Sequence, residues 1–90
     1  MVISTIYYTQ NMDFRVRNIA NKHLLLSGGN AFELNELGLT IWDLLEDKIS
    51  SEKIVQEVNS QYDINEEIIK KDVHTYINFL KEINAIEECN

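Results

Sequence analysis

The sequence predicts an α+β domain in which a small antiparallel sheet is followed by three helices. Two observations carry this prediction. In Phe14–Ile19 and in Phe32-Glu33-Leu34, apolar and polar side chains alternate, as they do in half-buried strands. From Leu37 onward, apolar residues recur at spacings of three and four, as they do in amphipathic helices. The chain has 90 residues and 44% apolar residues, which is enough for one domain with one core.

Three strands are predicted before the helices. The alternation in Phe14–Ile19 predicts the first, and Asn21-Lys22 then lies in a turn. His23–Ser27 is the second strand. Gly28-Gly29 marks a tight turn, because glycine reaches positive φ without a Cβ clash. Asn30–Leu34 is therefore the third strand and the second arm of a hairpin.

The residues before the first strand have two interpretations. Val2–Tyr8 is rich in β-branched and aromatic residues, so it forms either an additional strand or a mobile arm. We therefore predict a single domain over residues 1–90, with its core at about residues 13–87. Residues 1–12 are the additional strand or arm.

The three predicted helices have recognisable starting residues. The first follows Asn35, a favourable N-cap, and carries Trp42 beside its apolar stripe. The second begins at Ser50 or Ser51 and ends near Tyr62-Asp63. The third and longest follows Asn65, and its stripe is broad enough to contact two neighbours.

Gly38 lies in the first turn of the first predicted helix, where glycine costs about 1 kcal/mol of helix propensity. This position indicates either close packing against another backbone or a tolerated flaw. The order of elements resembles a winged helix-turn-helix domain.

The charge of the chain disfavours two classes of partner. Eight Lys and Arg stand against fifteen Asp and Glu, giving a formal charge of −7. Nucleic acid and anionic lipid surfaces are repelled by such a chain, so a protein partner is favoured. No apolar run approaches the ~18 residues of a membrane span, and the N-terminus lacks the basic region of a signal peptide. We therefore expect a cytoplasmic protein.

The sequence shows no constellation of catalytic or metal-binding residues. His23 and His74 lie on different predicted elements, without a Cys or carboxylate at a metal-ligand spacing. Cys89 has no second thiol to pair with. Gly28-Gly29 lacks the third glycine and the helix start of a phosphate-binding loop. We expect neither an enzyme nor a bound cofactor or metal.

An ordered set of residues resembles the PqqD-like family, also called RiPP recognition elements, where RiPP denotes a ribosomally synthesised and post-translationally modified peptide. The similarity extends from about Arg15 to Ile86. The residues that carry it are Leu34-Asn35, Gly38, Ile41-Trp42, Leu44-Leu45-Glu46, Ser50, Ile54-Val55, Tyr62-Asp63, Asp72-Val73, Tyr76-Ile77 and Leu80. Asp47 and Asn84 stand where the family often has glycine, and both residue types tolerate positive φ better than most.

The resemblance implies a function. Members of this family bind the leader segment of a precursor peptide and present it to a modifying enzyme, often a radical SAM protein. The leader adds as a strand to the edge of the sheet, in a groove between the third strand and the third helix. Carried onto this sequence, the implied peptide-binding residues are Ala31, Phe32, Glu33, Leu34, Lys70, Val73, Tyr76, Ile77 and Leu80.

Several of these residues have a second interpretation as structural residues. Phe32 and Leu34 also suit the core beneath the sheet. The apolar residues of the third helix must hold that helix to the domain, and Lys70 also suits a solvated surface. Tyr76 can bury its ring while its hydroxyl stays hydrated.

Two other functions remain open from the sequence. One is DNA binding by a winged helix, which requires a basic recognition helix; the third helix instead mixes lysines with acidic residues. The other is dimerisation, in which Val2–Tyr8 or the edge strand pairs with a second copy. A homodimer is also compatible with peptide binding.

Overall fold

The computed structural model describes residues 5–89. Within this range the chain forms two small sheets and three helices. In chain order the elements are β1 (Tyr7–Gln10), β2 (Arg15–Ile19), β3 (Lys22–Ser27), β4 (Asn30–Leu34), α1 (Glu36–Leu44), β5 (Ile49–Ser50), α2 (Ser51–Gln61), α3 (Glu66–Glu82) and β6 (Ile86–Cys89).

The predicted three-stranded antiparallel sheet is confirmed, with the strand order β2-β3-β4. One turn was misplaced by one residue, because Lys22 already pairs with Ile19 at the start of β3. The turn is Ala20-Asn21, with φ of 52° and 65°. Positive φ at both central residues is the pattern of a type I′ turn, whose twist matches that of the flanking strands.

The second hairpin turn lies where the sequence predicted it. Ser27 pairs with Asn30, so Gly28 and Gly29 form a two-residue loop. Gly28 has φ of +57°, a conformation that side chains with a Cβ rarely adopt. The glycine at the first central position is therefore required by the turn.

A second sheet, with the strand order β5-β1-β6, was not predicted from the sequence. Its central strand is β1, which pairs with β6 from Tyr7↔Cys89 to Gln10↔Ile86. The additional strand expected within Val2–Tyr8 is thus present as Tyr7–Gln10, while Val2–Ser4 lie outside the described residues. The N-terminal strand β1 is the centre of this second sheet, and within residues 5–89 no strand covers the outer edge of β4.

The C-terminal strand β6 is also connected to α3. Lys81 Nζ lies 2.7 Å from Glu88 Oε1. Two effects of Glu88 raise the pKa of Lys81 above its ordinary value of 10.5. The larger is the hydrogen bond between the two side chains, and the smaller is the negative charge of Glu88. Lys81 therefore stays positively charged at neutral pH.

The start of α1 explains Gly38. The Oδ1 atom of Asn35 accepts a hydrogen bond from Gly38 N at 2.8 Å, which confirms Asn35 as the N-cap. A Cβ on Gly38 would lie 2.7 Å from the ring of Tyr76. The close packing at this glycine is therefore against an α3 side chain, and the expectation of a neighbouring backbone was wrong.

One core joins the sheets to the helices. The largest fully buried side chains are Leu25, Ile41, Leu45, Ile54, Val58, Val73 and Leu80. Trp42 is buried in the same core. Asn84 has φ of 64°, so it takes the left-handed conformation for which glycine is common in the family.

Candidate functional site

The outer edge of β4 presents unpaired backbone groups. A two-residue loop closes on a hydrogen-bonded pair, here Ser27↔Asn30, and hydrogen-bonded pairs then alternate along an antiparallel ladder. Phe32 and Leu34 therefore bond to β3. The backbone groups of Ala31 and Glu33 point the opposite way, and within residues 5–89 no strand pairs with that side of β4.

An open groove lies beside this edge. Its volume is about 320 Å³, and it is lined by Glu33, Thr75, Tyr76 and Phe79. The rings of Phe32 and Phe79 meet edge to face, with centroids 5.8 Å apart and planes at 78°. This aromatic contact connects β4 to α3. The groove thus has a strand edge on one wall and a helix face on the other.

Tyr76 is held in place at the groove. Its hydroxyl donates a hydrogen bond of 2.5 Å to Asn35 Oδ1, the atom that also caps α1. The ring packs over Gly38, where a Cβ would leave no room. The hydroxyl hydrogen is therefore bonded within the chain, at an exposed position, while the ring is half-buried. These contacts fix the ring before any ligand arrives.

The structure places four of the implied binding residues in the core. The exposed fractions are 0% for Val73, 3% for Ile77, 0% for Leu80 and 2% for Leu34. These side chains support the groove from beneath and offer no surface to a ligand. Phe32 is half-buried and packs against the core as well as against Phe79.

Lys70 is separated from the groove. It lines a different depression, between α2 and α3, together with residues such as Glu52, Val55 and His74. Lys70 precedes Tyr76 by six residues, which is about 240° of rotation around an α-helix. The structure therefore does not bring Lys70 together with Tyr76 and the edge of β4.

Sequence reasoning missed the residues that line the α3 wall. Thr75 and Phe79 face the groove, and Ile68 and Asp72 continue the same stripe at spacings of three and four. Ile68 is 54% exposed although it is apolar. The apolar residues Ile68 and Phe79 lie on this second stripe of the helix and could have revealed the wall. The neighbouring buried stripe contains more apolar residues, so it was the one that the sequence pattern showed.

Two structural features are absent among the described residues. Among residues 5–89, no helix has the length and apolar character needed to cross a bilayer. The same range contains no group of three or more His, Cys, Asp or Glu side chains that could hold a metal ion.

Comparison with known proteins decides the family. Residues 22–86 match the model of the family described as coenzyme PQQ synthesis protein D (PqqD). The chain belongs to the PqqD family. The matched segment contains β3, β4, all three helices and the first residue of β6. It therefore includes the groove and the edge of β4. No curated protein sequence matches the chain.

Three solved structures share the fold of this PqqD-family chain. TbiB1 in complex with the TbiA(beta) leader peptide has 23% identity and a TM-score of 0.74, covering 88% of this chain and 94% of that one. The PqqD part of Methylobacterium extorquens PqqCD, described as a functional stand-alone RiPP recognition element, has 23% identity and a TM-score of 0.74, covering 90% and 88%. Lasso peptide synthetase B1 complexed with the leader peptide has 22% identity and a TM-score of 0.72, covering 92% and 98%.

Proposed function

We propose that this chain binds the leader segment of a ribosomally synthesised precursor peptide and presents it to a modifying enzyme. The observation that carries the proposal is the unpaired edge of β4 beside an open groove on α3. Membership of the PqqD family supports it. So do the leader peptides bound to TbiB1 and to lasso peptide synthetase B1, which share this fold.

The edge of β4 supplies affinity through the backbone. A guest strand would pair with the outward N–H and C=O groups of Ala31 and Glu33. Such main-chain hydrogen bonds do not depend on the amino-acid sequence of the guest. The α3 wall must therefore supply the selectivity for one guest peptide over another. Phe79 and Ile68 would receive apolar guest side chains, and Asp72 between them would favour a basic one.

This assignment revises the list of binding residues. From that list we retain Ala31, Glu33, Phe32 and Tyr76 at the groove. Val73, Ile77, Leu80 and Leu34 become its support because they are buried. Lys70 is left out because it faces α2. We add Thr75 and Phe79, which line the groove. We also add Ile68 and Asp72, because helical spacing continues the same stripe of α3 through them.

A titration tests the proposal directly. The labelled chain is titrated with the precursor peptide encoded near its gene, while backbone amide shifts are followed by NMR. We expect shifts concentrated in β4 and α3, with a dissociation constant on the order of 1 µM, or about −8 kcal/mol. Shifts confined to other parts of the chain would contradict the proposal.

Two proline variants separate strand addition from general disturbance of the sheet. Ala31→Pro removes an N–H that points outward from β4, and we expect it to weaken peptide binding about tenfold. Asn18→Pro is the matched control. By the same ladder alternation, its N–H points outward from β2, at the opposite edge of the sheet. Equal losses for both variants, at equal thermal stability, would contradict binding at β4.

We further propose that the modifying enzyme is a radical SAM protein and that this chain is not itself catalytic. A precursor peptide incubated with the chain alone should keep its mass. Adding the radical SAM enzyme encoded nearby, with S-adenosylmethionine and a reductant, should change that mass. A mass change with the chain alone would contradict the proposal.

A homodimer in the free state remains part of the proposal, because an unpaired strand edge can pair with a second copy. Light scattering with and without peptide tests it. The proposed dimer through β4 should dissociate as peptide is added. A dimer that persists with peptide bound would place the contact elsewhere.

A further inference from the structure

The sheet β2-β3-β4 has an outer face that the core does not use. Alternation along each strand and the observed pairing bring one set of side chains to this face. We call this set the outer sheet face. It consists of Arg15, Arg17, Ile19, Lys22, Leu24, Leu26, Ala31 and Glu33.

Apolar side chains form the middle of the outer sheet face. Leu24 and Leu26 both point to this face, because Leu25 between them points inward and is fully buried in the core. Neither Leu24 nor Leu26 belongs to the core or to the half-buried apolar residues packed against it. Ile19 on the neighbouring strand is 49% exposed. Leu24 and Leu26 are partly exposed, so with Ile19 they give the face an apolar centre that a protein partner can cover.

The outer sheet face is basic, although the chain is strongly acidic. It carries three cations and one acid, Glu33, whereas the whole chain has eight cations and fifteen acids. Both arginines of the chain lie here. Glu33 pairs with Lys22 at 3.7 Å. None of the ion pairs found within residues 5–89 involves Arg15 or Arg17.

The two arginines border a depression in this face. Its volume is about 330 Å³, and Leu26, Ser27 and Gly28 complete its lining together with Asp13. The lining has two arginines and one acid, Asp13, so its net charge is positive. The two guanidinium groups suit a carboxylate, since arginine offers a planar set of donors to such a group.

We propose that the outer sheet face is the docking site for an acidic, partly apolar surface of the enzyme that modifies the bound peptide. The charge of the face identifies an acidic partner, and its leucines favour a protein over nucleic acid. The inference rests on the proposed function. A guest strand added to β4 extends this same sheet, so an enzyme acting on the guest approaches beside the outer sheet face.

The test uses the purified modifying enzyme encoded near the gene, with the full chain as ligand. Arg15→Ala/Arg17→Ala should weaken enzyme binding about tenfold, and binding of the wild type should weaken with added salt. Lys48→Ala/Lys53→Ala is the control, because it also removes two positive charges but lies outside this face. It should change enzyme affinity less than about twofold. Leu24→Ser should weaken binding without altering charge.

Peptide affinity of every variant is measured in parallel. We expect it to remain unchanged, because none of the substituted residues lies on β4, whose outer edge supplies the backbone groups for the guest strand. If peptide binding fails in the wild type, the proposed function fails. If peptide binds but the arginine and lysine variants lose enzyme affinity equally, or if the wild type binds no enzyme, the outer sheet face is not the docking site. A homodimer or a nucleic acid complex that depends on Arg15 and Arg17 would replace the enzyme as its occupant.

Discussion

At the scale of single residues, one side-chain oxygen organises the groove. Asn35 Oδ1 accepts from the backbone of α1 and from the hydroxyl of Tyr76, while Gly38 makes room for the tyrosine ring. The sequence indicated Asn35 as an N-cap, Gly38 as a position of close packing and Tyr76 as a binding residue, each for a separate reason. Their contact joins residues about forty positions apart, which no local pattern can reveal.

Gly38→Ala tests this contact. The added Cβ would lie 2.7 Å from the Tyr76 ring, so the ring must move even though alanine favours the helix by about 1 kcal/mol. We expect a net loss of about 1–2 kcal/mol in the free energy of unfolding and weaker peptide binding, measured by denaturant titration and calorimetry. Gly29→Ala is the control, because no atom lies within 4 Å of its Cβ position. A more stable Gly38→Ala variant would contradict the packing argument.

Phe79→Ala tests the α3 wall of the groove. The substitution removes the aromatic contact with Phe32 and one lining side chain. We expect peptide affinity to fall about tenfold, as for a buried aromatic anchor, measured by fluorescence anisotropy with a labelled leader peptide. Asn78→Ala, at an exposed neighbouring position, should leave affinity unchanged. Equal affinities for the two variants would remove Phe79 from the site.

The residues of α3 also show where prediction from sequence ends. The buried stripe of Val73, Ile77 and Leu80 was identified correctly as apolar and helical. Its apolar spacing alone could not separate the side chains that fill the core from those that face the groove. Only the position of β4 relative to α3 makes that distinction. It places Thr75 and Phe79 in the lining of the groove.

At the scale of elements, the sequence predicted the strands and helices that depend on local signals. It did not predict strand pairing between segments that are far apart in the chain. The strands β2 to β4 follow from alternation and two-residue turns, and the helices follow from their caps and spacing. The sheet β5-β1-β6 brings together three segments far apart in the chain. Ile49–Ser50 is too short to show periodicity, and Ile86–Cys89 pairs with residues near the other terminus.

Tyr8→Ala tests whether β1 is part of the fold. Tyr8 is buried in the core cluster, so its truncation should lower the free energy of unfolding by about 3 kcal/mol, measured by chemical denaturation. Met12→Ala, at a side chain that is 96% exposed, should change it by less than about 0.5 kcal/mol. A similarly small effect for Tyr8→Ala would mean that the N-terminal strand is a dispensable arm.

At the scale of the whole molecule, the two sheets have different roles. The sheet β5-β1-β6 takes up the N-terminal strand and the C-terminal strand. Within residues 5–89, no strand therefore pairs with the β4 edge of the sheet β2-β3-β4, which lies beside α3. The account of function depends on this division, because the same strand edge cannot pair with the chain's own terminus and with a guest.

Amide hydrogen exchange, measured with and without a saturating leader peptide, tests this claim most directly. We expect the amides of Ala31 and Glu33 to exchange quickly in the free chain and to become protected when the peptide is bound. The amides of Val16 and Asn18 point outward from β2 at the opposite edge of the sheet, and their exchange rates should not change. Protection at β2, or at neither edge of the sheet, would contradict strand addition at β4.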